Sequence, residues 1–138
     1  MKPVKTPIWS IKNTMIKGVG TDIVEIARIE ALWQKQGARF AQRLLSESEQ
    51  LVLKSHSQPA RFLAKRWAAK EAVSKALGTG IAQGVGFADI TISHTDLGQP
   101  KIELSGGALN RAAHLGITQW QLSISDEKHY AVAFVVAS

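Results

Sequence analysis

The feature that most limits how this chain can fold is the segment RFLAKRWAAKEAVSKAL, residues 61–77. It is made of strong helix formers, and Phe62, Ala69, Val73, Ala76 and Leu77 recur as an apolar stripe. Pro59 stands where a first helical residue would stand, and Gly78 where the chain would leave the helix. The full length of 138 residues fits one domain and leaves little room for a second.

The flanking segments supply the other elements. The run MIKGVGTDIVEI opens as a strand, and a helix is expected over about residues 25–36, broken at Gly37, with another over 38–45. Ser46 with Glu49 three residues on forms a capping box for a short helix running to Lys54. After the glycine-rich GTGIAQGVG come strands at about 88–93 and 101–104 around a turn at Asp96-Leu97-Gly98. A helix over 105–115 stopped by Gly116, then strands at about 119–125 and 129–136, complete the chain. The expected fold class is α+β: a mostly antiparallel sheet packed on one long helix.

Composition removes several function classes. Hydrophobic residues make up 45% and charged residues 20%, which is a globular balance. No apolar run approaches the roughly 20 residues of a membrane span, and the N-terminus lacks the apolar core of a secretory signal. The absence of cysteine excludes disulfides, thiolate nucleophiles and cysteine-ligated zinc, and makes a cytoplasmic protein the simplest reading. Of the +6 net charge, half comes from Lys2, Lys5 and Lys12. Residues 1–14 therefore read as a flexible extension, and Met15 as the start of the folded domain, residues 15–138.

Four features could carry chemistry. Glu71 and Lys75 share a helix face with Trp67, Ser74 and Gly78, opposite the apolar stripe. Spacing alone favours a surface ion pair of about 0.3–0.5 kcal/mol over a carboxylate and an ammonium aimed at a phosphate. In GVGTD, two glycines in a strand suggest close approach of another backbone, and Asp22 is either a turn former or a ligand. The loop after the long helix could cradle phosphates or simply connect, since it does not match the GxxxxGK[ST] pattern. Arg28, Lys35, Arg39 and Arg43 form a basic stripe, which is either a solvated face or a dock for an acidic partner. His56, His94, His114 and His129 show no metal-ligand spacing, and no Ser-His-Asp constellation supports a serine hydrolase.

The order of these segments is more telling than any one of them. GVGTDIVEIARIE, FLAKRWAAKEAVSKALGTGI, LGQPKIEL and SISDEKHYAVAFV together resemble the bacterial holo-acyl-carrier-protein synthases of the 4′-phosphopantetheinyl transferase superfamily, over about residues 15–136. The resemblance implies that family's fold, a homotrimer with active sites between subunits, and transfer of 4′-phosphopantetheine from coenzyme A to a serine of apo-acyl carrier protein. That reaction releases 3′,5′-ADP and serves fatty acid biosynthesis. By the same resemblance Asp22 and Glu71 are Mg2+ ligands, and Lys75 contacts the coenzyme A phosphates and acts with Glu71 in catalysis. Arg66, Gly78 and Gly80 belong to coenzyme A binding; Arg28, Arg39 and Arg43 face the acidic carrier protein.

Magnesium suits two carboxylates plus substrate phosphates, and the nucleophile comes from the carrier, so the missing triad is no obstacle. One departure stands out: many members have a histidine near the active site where this chain has Gln121, which cannot titrate near neutral pH. The proton acceptor is then Glu71 or a water on the metal. Two other readings compete. A single-stranded nucleic-acid module is opposed by the acids in motif positions and by the lack of clustered exposed aromatics. An inactive scaffold is opposed by joint retention of Asp22, Glu71 and Lys75.

Overall fold

The computed structural model describes residues 15–138, so the expected extension at residues 1–14 lies outside the described residues. The chain runs β1 (Gly18–Glu25), α1 (Ile26–Gln36), α2 (Ala38–Leu44), α3 (Glu47–Lys54) and α4 (Pro59–Ala76). A 3₁₀ turn (Phe87–Asp89), β2 (Ile90–His94), β3 (Pro100–Leu104), α5 (Gly106–Leu115), β4 (Trp120–Asp126) and β5 (Tyr130–Ala137) follow.

Local chemistry sets most of these boundaries. Gly37, at φ 53°, separates α1 from α2. The Ser46 N–H donates to Glu49 Oε1 at 3.0 Å, closing the capping box that starts α3. Pro59 is the first helical residue of α4. The strand expected from residue 88 begins only at Ile90, because the Asp89 carboxylate accepts the Gly86 N–H and winds Phe87–Asp89 into a turn first.

The expected single sheet is two sheets. One has the order β1-β5-β4, all antiparallel, and the other is the β2–β3 hairpin. The larger sheet packs one face on α4. Its inward side carries Gly20, Val24, Ala131, Ala133, Val135 and Ala137, all buried. Helix α4 is buried around most of its circumference, including Leu63, Ala64, Ala68, Ala72 and Val73. Ser74, placed by the sequence on a face opposite the apolar stripe, is fully buried too. The apolar-stripe reading of α4 is thereby corrected: this is a central helix covered on several sides.

Polar groups are also enclosed. Lys70 has no exposure and donates to Glu49 Oε1 at 2.6 Å, to Leu44 O at 2.6 Å and to Phe87 O at 3.1 Å. The other Glu49 oxygen accepts the Ile92 N–H at 3.2 Å and lies 3.7 Å from Arg66 Nε. One carboxylate thus joins α3, α4 and β2, while Lys70 adds the end of α2 and the 3₁₀ turn. Burial pushes the Lys70 ammonium below its ordinary range, and Glu49 pulls it back.

Candidate active site

Two glycines bring β1 against α4. A Cβ at Gly20 would overlap the Ala72 carbonyl oxygen, and one at Gly18 would overlap that of Ala76. Only glycine lets the backbones approach this closely, which is the reading the GVGTD segment suggested. Asp22 lies two residues beyond Gly20 on the same strand face, so it too points at α4.

The helix meets it with Lys75 and Glu71. Lys75 Nζ donates to Asp22 Oδ1 at 3.0 Å and to Thr21 O at 2.9 Å. The lysine pairs across to the strand, so the surface ion pair between Glu71 and Lys75 is not the arrangement found. Burial raises the proton affinity of the Glu71 carboxyl, and the Asp22 charge raises it further; Lys75 and Arg28 pull it down. Two carboxylates and two cations therefore share one half-buried locality. Asp22 Oδ2 is buried and has no hydrogen-bond partner among the described residues. Such an oxygen carries a desolvation cost that a cation or donor would relieve.

A divalent cation fits this donor set. Among the described residues no three histidine, cysteine, aspartate or glutamate side chains are grouped so that they could hold a metal ion, and the acidic side chains at this locality are the pair Asp22 and Glu71. That is the donor number expected for magnesium, which keeps waters and takes substrate phosphates.

The other candidates fall in three places. Arg66 is buried apart from Asp22, donating to Ile92 O at 2.6 Å, with its guanidinium 4.7 Å from the Phe62 ring centroid. It lines a cavity of about 250 Å³ with Lys65, Arg61, His56 and His94. Burial, Arg66 and Lys65 hold the His94 imidazole below its ordinary range, so it is neutral there near pH 7. Gly78 and Gly80 have φ of 78° and 63°. The Gly78 N–H donates to Lys75 O, and those of Thr79 and Gly80 donate to Ser74 O. Those amides finish α4, so a phosphate cradle made from them is not what the loop presents.

Arg28 on α1 and Arg39 and Arg43 on α2 are all exposed. None of the three has an acidic ion-pair partner among the described residues. Gln121 lies opposite Val136 in the sheet ladder, in register with Val19 on β1, so it faces away from α4. Within one chain it is not part of the Asp22–Glu71 cluster. The buried Glu49–Lys70 pair escaped the sequence reading.

Comparison with known proteins gives a consistent result. The family model of the 4′-phosphopantetheinyl transferase superfamily matches residues 18–135. A holo-[acyl-carrier-protein] synthase of Hydrogenovibrio crunogenus is 62% identical over 123 residues, covering 89% of this chain and 97% of that protein. The crystal structure of holo-[acyl-carrier-protein] synthase from Neisseria meningitidis superposes with a TM-score of 0.84 at 46% identity, covering 90% of this chain and 99% of that one. A holo-(acyl-carrier-protein) synthase from Bacillus anthracis, solved in complex with CoA (3′,5′-ADP), gives a TM-score of 0.74 at 41% identity, covering 90% and 97%.

Proposed function

The chain belongs to the 4′-phosphopantetheinyl transferase superfamily, and from that premise we infer that it transfers 4′-phosphopantetheine from coenzyme A to a serine of apo-acyl carrier protein, in fatty acid biosynthesis. The carrier's serine oxygen bonds to the phosphorus that bears the pantetheine arm. The bond from that phosphorus to 3′,5′-ADP breaks, and the serine proton goes to a base. The observation that carries the site assignment is the cluster itself: Lys75 on Asp22 Oδ1, an unpartnered Asp22 Oδ2, and Glu71 alongside.

In this proposal Asp22 and Glu71 hold Mg2+. When bound, the ion neutralises charge on the phosphate oxygens. Lys75, already oriented by Thr21 O and Asp22, offers its remaining proton to a coenzyme A phosphate. Glu71, the second carboxylate of the cluster, is one group of this chain placed to accept the serine proton. Arg66 and its cavity take the nucleotide end, which the basic lining supports. Gly78 and Gly80 border that substrate without side chains; a Cβ at Gly80 would meet nothing within 4 Å, so a ligand has room there. Arg28, Arg39 and Arg43 receive the acidic carrier protein, which their unpaired charge favours.

The quaternary state we propose is a homotrimer with active sites between subunits, in the cytoplasm. Its support is the outer sheet face, where Val19, Ile23, Val132 and Phe134 are exposed side by side. Gln121 lies on that same face, where a neighbouring subunit would meet it. The division at Met15 belongs to the same proposal and is supported by a family match that begins at residue 18. The direct test mixes the protein with apo-acyl carrier protein, coenzyme A and Mg2+, then weighs the carrier. The expected result is a gain of one phosphopantetheine, abolished by a chelator. An unchanged carrier mass overturns the assignment.

A further inference from the structure

Two of the three arginines assigned to carrier docking sit on aromatic rings. The Arg28 guanidinium carbon lies 5.6 Å from the Trp67 ring centroid, and that of Arg43 lies 5.8 Å from the Phe40 centroid. The two rings belong to one cluster. Trp67 on α4 stacks on Phe40 of α2 at 6.1 Å and tilts against Phe87 of the 3₁₀ turn at 4.9 Å. Phe40 and Phe87 are buried, whereas Trp67 is half-buried and keeps one part of its ring under Arg28. The cluster is therefore anchored in three elements, with a guanidinium seated on each of two rings.

We propose that Trp67 and Phe40 are positioning residues for the carrier protein: they hold Arg28 and Arg43 as flat, preset guanidinium groups whose edges receive two carboxylates of an acidic helix. The inference rests on the docking role given to those arginines above and adds what fixes them. A guanidinium lying on a ring keeps its N–H edge free for a bidentate carboxylate. Holding it there before the encounter reduces the side-chain freedom lost on binding. Lysine cannot replace it, because an ammonium has neither the planar fork nor the stacking face. Trp67 stands one turn before Glu71 on α4, so a carboxylate taken by Arg28 above that ring lies one helical turn from the reacting groups, which ties docking to the site where the serine must arrive.

The test is a double-mutant cycle read in KM for apo-acyl carrier protein and, separately, for coenzyme A. Trp67→Leu is expected to raise the carrier KM roughly two- to fivefold, the size of one exposed cation–aromatic contact, and to leave the coenzyme A KM unchanged. Trp67→Phe should restore most of the loss. Arg28→Lys, which leaves the core untouched, should raise the carrier KM by a similar factor even if Trp67→Leu folds poorly. In an Arg28→Ala background, Trp67→Leu should add little. Additive effects, or equal rises in both KM values, overturn the platform. If Arg28→Ala leaves the carrier KM unchanged, the docking role of Arg28 falls and the platform with it. If Arg28→Ala raises it while Arg28→Lys and Trp67→Leu do not, docking stands and only the platform fails.

Discussion

At the scale of single residues, the site depends on an atom that is not there. Gly20 has no Cβ, so the β1 backbone rests on the Ala72 carbonyl and delivers Asp22 to Lys75. Gly20→Ala should push strand and helix apart, costing about 1–3 kcal/mol by analogy with overpacked cores, and should slow transfer as Asp22 moves. Denaturant unfolding beside a transfer assay checks both; an unchanged midpoint would contradict the close contact. Asp126 offers a pH test. Its hydrogen bond from Arg61 at 2.8 Å, helped by Lys65, holds its carboxyl below the ordinary range. A lowered carboxylate gives stability that is present above its unfolded range and lost as pH falls through the folded one. Asp126→Asn should therefore be less stable than the wild type at pH 7, by under about 1 kcal/mol for so exposed a pair. The two proteins should converge in acid, as thermal melts across pH would show. The glycines' role was legible in GVGTD because glycine inside a strand has few other uses. The partner of Lys75 was not, because Glu71 one turn away is an equally good partner on spacing alone.

Elements tell a different story. Helix α4 was evident from its composition and from Pro59, yet its surroundings were not. Lys70 carried no role in the sequence and Arg66 was assigned to coenzyme A, yet both are enclosed because Glu49, from a capping box that normally faces water, turns inward to meet them. Nothing in either segment announces that pairing; it arises only when α3 packs beside α4. Glu49→Ala should cost about 3–5 kcal/mol by leaving Lys70 buried without its carboxylate. Adding Lys70→Met should recover part of that loss, since an apolar group of similar length removes the stranded charge. Denaturant midpoints of the single and double variants decide it, and a double variant no better than the single would contradict the pairing. The two-sheet arrangement was hidden for a related reason: alternation marks strands but does not say which edges pair.

At the scale of the whole molecule, the described residues cover the larger sheet on one face only. Phe134, Val132, Val19 and Ile23 stay exposed on the other, in a patch that suits burial against another copy. Phe134→Lys should convert the proposed trimer into single subunits by light scattering and reduce transfer, since the active sites would lie between subunits. A wild-type protein of one-subunit mass would contradict the trimer. The family was legible because its motifs keep their order along nearly the whole domain; assembly was not, because a face exposed in one chain gives no sign of its partner until the strands are placed. The central claim is that Asp22 and Glu71, brought together across β1 and α4, form the metal-holding centre of the transfer. It is tested most directly by weighing apo-acyl carrier protein after incubation with coenzyme A, Mg2+ and the wild type, Asp22→Ala or Glu71→Ala. The expected result is one added phosphopantetheine with the wild type and a rate lower by roughly 10²-fold or more with either folded variant. Wild-type rates from both folded variants would contradict it.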